Sequence, residues 1–236
     1  DLHKAIRRQR QMCIRDRHSF LLYAAAGLMI AGAASATTLT VYNEDEYGTA
    51  PITSILDASG HSLQNGSAML GYLQDSTWSF DLVDGKIEWS KNSTPAGQLS
   101  YSQMAEIRQS FTTSLSAVSP EYPGAITNGG QFSLSGTLAS GLEGKPLVLL
   151  VNNDDSPGEF SMFTFRNVDT GELAKYPGVV GNDMTFFFGS QADAITEGYE
   201  WYAIPLFNDN FNLVPEPATA TLSLLGLAAL MMRRRR

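Results

Sequence analysis

Glycine, asparagine, aspartate and proline punctuate residues 37–213 so often that the apolar segments between them are mostly five to eight residues long. That spacing leaves little room for long helices and favours strands joined by tight turns. The constraint is sharpest in the stretch 77–90, TWSFDLVDGKIEWS. With Asp84-Gly85 as a two-residue turn, Val83 faces Lys86, Leu82 faces Ile87, Asp81 faces Glu88 and Phe80 faces Trp89. Trp78, Phe80, Leu82, Ile87 and Trp89 then share one face, while Asp81, Val83, Lys86 and Glu88 share the other. A slip of one residue would mix the two sets, so the pattern specifies its own register. Asp81 opposite Glu88 is a like-charge pair, tolerable where both are solvated.

The same reading extends along the chain. Strands are predicted at 37–43 (TTLTVYN) and 52–56 (ITSIL), the latter followed by a DASG turn and HSL. Asn65-Gly66 reads as a hairpin turn because both residues tolerate positive φ, and SAMLGYL (67–73) follows it. Further strands are expected at GGQFSLSGTL (129–138), with Phe132, Leu134 and Leu138 on one side, and at PLVLLV (146–151). The latter is apolar on both faces and so belongs in the centre of a sheet. NNDDSPGE (152–159) reads as a polar loop, FSMFTFRNV (160–168) as the return strand and DTGE (169–172) as a turn; MTFFFG (184–189) and YEWYAIPLF (199–207) are the last strands. One segment departs from the pattern. Tyr101, Met104, Phe111, Leu115 and Val118 recur at helical spacing, and Ser100 with Gln103 forms a capping-box signature. One amphipathic helix is predicted over about 101–116, stopped by Pro120 and Pro123. The expected fold is mostly β, an antiparallel β-sandwich or distorted barrel with that one helix.

Both ends are set aside as processing segments. Residues 1–17 match neither a domain nor a signal n-region and read as a non-native leader or artefact. Residues 18–36 combine upstream Arg15 and Arg17, a short apolar run and Ala34-Ser35-Ala36, the order of a secretory signal peptide. Cleavage is placed between Ala36 and Thr37, which implies export through the Sec machinery. The run is too short for the roughly 20 residues of a spanning helix. The domain proper is then 37–213, about 177 residues, enough for a core that needs no covalent staple.

Charge narrows the function. Residues 37–213 hold 21 acidic and 6 basic side chains, a formal charge of −15, whereas the whole chain carries −8. Ten of the 16 Lys and Arg residues sit in the two end segments. A domain this acidic lacks the basic footprint that nucleic acid requires. It contains no cysteine, which excludes disulfides, thiol nucleophiles and cysteine–zinc sites.

No catalytic constellation stands out. His61 is the sole histidine of the domain, in a turn, and no nucleophile-elbow G-x-S-x-G accompanies it. Asp154 and Asp155 beside Asn152 and Asn153 could surround calcium, but the same composition is ordinary for a loop. With 21 acids, a carboxylate pair at glycosidase spacing would arise by chance. No cofactor motif occurs, and neither a cofactor nor a metal is expected. Trp78 and Trp89 lie on the apolar face of the hairpin and are expected in the core. Tyr199 and Trp201 on the last strand are the candidates for stacking on sugar rings.

The end of the chain is VPEPATATLSLLGLAALMMRRRR (214–236). Residues 218–232 carry no charge and would rise about 22 Å as a helix at ~1.5 Å per residue, short of a ~30 Å hydrocarbon core. Arg233, Arg234, Arg235 and Arg236 would remain cytoplasmic. This order of motif, apolar helix and arginines, downstream of a signal peptide, resembles the PEP-CTERM sorting signal of exported Gram-negative proteins. The resemblance covers residues 214–236. It implies that an exosortase-type enzyme recognises Val214, Pro215, Glu216 and Pro217 and processes the tail, which crosses or anchors in the inner membrane beforehand. It also implies a final location at the cell surface or in an exopolysaccharide or biofilm matrix. The domain between the signals is loosely similar to small β-rich cargo of such proteins, for which no activity is implied. The first expectation is a non-enzymatic surface or matrix protein. The alternatives are a carbohydrate-binding module, with polysaccharide as partner, and a glycan hydrolase.

Overall fold

The computed structural model describes residues 37–43, 53–74, 76–127, 130–138, 141–156, 158–178, 183–208 and 210–215. Contacts divide the chain into Asp1–Ser35 and Ala36–Arg236, and the second unit holds all the described residues. Ala34, Ala36, Glu216, Pro217 and the terminal arginines lie outside them, as do the signal and tail helices.

Strands dominate, as the punctuation requires. An eleven-stranded sheet curls into a half-barrel, and a three-stranded sheet lies beside it. The large sheet contains β1 (Thr38–Tyr42), β2 (Gly66–Leu73), β6 (Phe111–Thr113), β7 (Leu115–Pro123), β8 (Ala125–Ile126), β9 (Ser133–Leu138), β10 (Val148–Asn153), β11 (Glu159–Asn167), β12 (Met184–Phe187), β13 (Trp201–Pro205) and β14 (Val214–Pro215). Its order is β6-β2-β10-β11-β13-β12-β1-β9-β7, with β8 on β2 and β14 on β11. The small sheet is β3 (Trp78–Val83), β4 (Lys86–Lys91) and β5 (Thr94–Pro95). Among the described residues two helices complete the fold, α1 (Tyr101–Gln109) and α2 (Gln191–Glu197).

The small sheet carries the register read from its turn. Phe80 pairs with Trp89, Asp81 with Glu88, Leu82 with Ile87 and Val83 with Lys86. Asp84 and Gly85 take φ of 50° and 78°, the double positive φ that a two-residue hairpin demands. The aromatic face of this hairpin covers the outer side of β10 and β11. Trp78, Phe80 and Trp89 pack there with Val148, Leu150, Phe160 and Met162, and with Met104 and Ile107 of α1. Trp89 Nε1 donates 2.7 Å to the carbonyl of Leu206, so its buried N–H is satisfied.

The inner side of the curl forms the larger core. Strand β10 is buried along its whole length, as its apolar run predicts. Leu149 and Val151 point inward to meet Phe163, Phe165, Leu39, Val41, Phe186 and Phe188. Segment 111–126 ties the two flanks of the sheet together, since β6 and β8 pair with β2 while β7 between them pairs with β9.

Four expectations need correction. The sheet is mixed, not antiparallel, because β12 runs parallel to both β1 and β13. Parallel neighbours require a crossover, and α2 provides it. Ser190 caps α2 by accepting from the Asp193 amide at 3.2 Å, and Gly198 ends it at φ 78°. Only Ala194 of this helix is buried, against Phe187 and Tyr202, so its seven residues leave no readable apolar stripe.

Secondly, the predicted helix 101–116 ends at Gln109. Its capping box is present, with Ser100 N donating to Gln103 Oε1 at 2.9 Å and Gln103 N to Ser100 Oγ at 3.4 Å. Beyond it, Phe111, Thr112 and Thr113 pair with Leu73, Tyr72 and Gly71, since the open edge of β2 offers a ladder that continued helix would forfeit. Tyr101, assigned to the apolar face, is exposed.

Thirdly, Asn65-Gly66 is no hairpin turn. Gly66 starts β2, pairing with Asn153 and Ile126. A Cβ there would stand 2.5 Å from the Asn152 carbonyl, so this glycine serves a close backbone approach. Fourthly, Asn152 and Asn153 are buried ends of β10 rather than loop.

Candidate functional site

Strands β1, β12 and β13 are mutually parallel and therefore begin at one end of the curl. Antiparallel β11 finishes there. The chain after β11 turns at 168–170 and doubles back across this end as a strap. Ala174 N donates to the Phe165 carbonyl at 2.7 Å, Leu147 N to Ala174 at 3.0 Å and Tyr176 N to Lys145 at 2.9 Å. Tyr176 anchors the strap. Its ring is buried in the inner core, and its hydroxyl lies 2.7 Å from both the Gly71 carbonyl and Ser114 Oγ. Burial pushes the phenol well above its ordinary range, with the Ser114 hydrogen bond acting the other way.

Between the strap and the starts of β12 and β13 lies a cleft of about 630 Å³, open to solvent. Trp201 and Met184 form its apolar part. Both are half-buried and pack on the inner core, with the Trp201 ring 6.0 Å from that of Phe186. Tyr199 lines it too, stacked on Phe187 at 5.0 Å with 19° between planes. The polar part comes from Glu172 and Lys175 on the strap, Asp183 and Thr185 at β12, and Glu200 before β13. All five are exposed. Asp183 Oδ1 also accepts from the Thr38 amide at 2.8 Å, which fastens the start of β1 to this wall.

The two aromatic residues predicted to stack on sugars thus line one cleft. Glu172, Lys175 and Asp183 were not singled out from sequence, since they come from separate segments that only the strap brings together. Other candidates fall elsewhere. His61 is exposed in a turn, its Nδ1 3.6 Å from Asp57. The Asp57 carboxyl is held below its ordinary range, chiefly by the His61 amide. The polar loop is occupied with its own structure: Asn153 Oδ1 accepts from the Asp155 and Ser156 amides, Asn65 donates to Asp155, and Ser67 to Asp154. Among the described residues no three His, Cys, Asp or Glu side chains gather as a metal site.

Trp78 and Trp89 are core residues, as expected, exposed by 3% and 5%. Of the tail motif, Val214 and Pro215 are described, and they form β14 on Phe160 and Glu159 of β11. Val214 is buried among the residues beneath the small sheet, while Pro215 is exposed on the edge, where its missing N–H costs no ladder bond. No protein-family model, characterised protein or solved structure matches this chain.

Proposed function

We propose that this is an exported, non-enzymatic protein of the cell surface or extracellular matrix, delivered by a PEP-CTERM and exosortase route. The single observation that carries the reading is the order of the last 23 residues: Val214-Pro215-Glu216-Pro217, an uncharged run over 218–232, then four arginines. The acidic, cysteine-free domain suits export in soluble form. The first two residues of the motif, Val214 and Pro215, form β14 on β11. The same reading takes the fold as a distorted barrel, with segment 111–126 bridging its flanks.

Intact-mass measurement of the protein isolated from its own cells tests delivery. The expected result is a species starting at Thr37 and shortened or modified at the C-terminal motif. An exosortase-deficient strain should retain the tail. An unchanged C-terminus in that strain, or recovery of the protein from the cytoplasm, would overturn the reading.

A further inference from the structure

The cleft by the strap is the feature that delivery leaves unexplained. We propose that it binds a segment of neutral polysaccharide, with Trp201 as the stacking surface and Glu172 and Glu200 accepting hydrogen bonds from sugar hydroxyls.

The three tryptophans divide by location. Trp78 and Trp89 are consumed by the packing of the small sheet. Trp201 sits on a different strand, half-buried, at the mouth of the curl beside a cleft of about 630 Å³. Mouths of curled or closed sheets are recurrent ligand positions, and ~300–1,000 Å³ is the usual span of ligand clefts. An aromatic ring held by the core on one side and wet on the other offers a rigid apolar surface at little entropic cost. The C–H face of a pyranose is the matching surface.

The polar residues select the rest of the ligand. Ionised carboxylates only accept hydrogen bonds, and sugar hydroxyls are abundant donors. Among the described residues, Glu172 and Glu200 have no side-chain hydrogen-bond partner, so their acceptor capacity is turned to the solvent that a glycan would replace. Lys175 and Thr185 add donors on the same walls. Three carboxylates against one ammonium disfavour uronate, sulfate or phosphate polymers, as does the domain charge of −15. A neutral chain meets no such penalty. Binding is favoured over hydrolysis because all three carboxylates are exposed, whereas a glycosidase acid works in a water-poor pocket.

This inference rests on the cleft alone and is independent of the delivery route. The test is calorimetric titration of the purified full chain with cellohexaose, mannohexaose and xylohexaose, and with polygalacturonate as the polyanion. At least one neutral hexasaccharide should bind, and it should perturb tryptophan fluorescence in the wild type. Trp201→Phe keeps an aromatic in the core and should fold, yet weaken binding roughly tenfold, about 1.4 kcal/mol. Glu172→Gln with Glu200→Gln, both on exposed positions, should weaken it several-fold. Asp81→Asn with Glu88→Gln, on the solvent face of the hairpin, should leave it unchanged. Failure of every neutral probe to bind at 10 mM overturns the proposal. So does binding that is indifferent to both cleft variants, or equal binding of polygalacturonate.

Discussion

The two sides of the β10–β11 region are built on different principles. Inside the curl, Phe163 meets Phe188 at 4.8 Å and Phe211 at 5.6 Å, contacts between residues 25 and 48 positions apart. Outside it, Trp89 meets Trp78, Phe80 and Phe207, and the first two belong to its own hairpin unit. The inner core exists only once the long-range sheet has formed. The outer layer is a locally specified unit laid on a finished surface. Local stability should therefore differ between them.

The largest expected effects come from removing one anchor on each side. Phe163→Ala leaves a cavity in a fully buried site and should cost about 3–5 kcal/mol, lowering the unfolding midpoint of the whole domain in one transition. Trp89→Ala falls in the same range on chemistry alone, and it also removes the hydrogen bond to the Leu206 carbonyl. Its consequence should be regional. Hydrogen exchange should show protection lost first in β3, β4 and α1, while β10 and β11 remain protected. Equal loss of protection on both sides in Trp89→Ala would show that the two layers are one cooperative unit.

Gly66 tests the seam where β2 meets the rest. A methyl group there would stand 2.5 Å from the Asn152 carbonyl and 3.0 Å from Leu63 Cδ2. Neither a backbone carbonyl nor a buried leucine can retreat freely, so Gly66→Ala should destabilise by about 2–3 kcal/mol. Chemical denaturation reads this directly. A neutral result would mean that Asn65-Gly66 is freer than the strand pairing requires.

What was legible in the sequence follows the same inner and outer division. The 77–90 hairpin was readable to the residue, because Asp84-Gly85 fixes the turn and alternation fixes the face. The burial of β10 was readable from PLVLLV. The parallel pairing of β12 was not, because it depends on a crossover helix with one buried residue. The end of α1 was misread because Phe111 does reach the same apolar cluster as Met104, but from a strand. At the cleft, Trp201 and Tyr199 were visible as aromatic residues alternating on the last predicted strand, 199–207. Glu172 and Lys175 were not, since nothing local marks the strap until Tyr176 is seen to bury its hydroxyl between Gly71 and Ser114.

That buried phenol makes a distinct expectation for the inner side. Tyr176→Phe removes hydrogen bonds to Gly71 and Ser114 and should cost about 1–2 kcal/mol. It should also change the pH dependence. A phenol whose folded pKa is raised above its unfolded value contributes stability that is present below about pH 10 and is lost as pH rises toward the folded value. Wild-type stability should fall between pH 9.5 and 11 more steeply than that of Tyr176→Phe. Parallel pH profiles would mean that the hydroxyl is not shielded as its contacts indicate.

The smallest expected effect lies on the rim of the outer layer, where Lys91 of β4 reaches Glu106 of α1 at 2.7 Å. Lys91 also lies 5.0 Å over the Trp78 ring, so one ammonium serves two partners. The hydrogen bond from Lys91 holds the Glu106 carboxyl below its ordinary 4.5. A depressed carboxylate contributes stability above its unfolded value, and that contribution is lost as pH falls through the lower folded value. Both side chains are well exposed, so salt should weaken the pair. Glu106→Gln breaks the ion pair and leaves the cation over the ring, whereas Lys91→Met removes both. Lys91→Met should therefore be the more destabilising of the two. Tryptophan fluorescence reports on this layer through Trp78 and Trp89. In wild type its unfolding midpoint should fall between pH 7 and pH 3.5 by slightly more than in Glu106→Gln. A difference that persists undiminished in 1 M salt would place the coupling between β4 and α1 in the packing beneath them, around Trp78 and Ile107, rather than in the charges above.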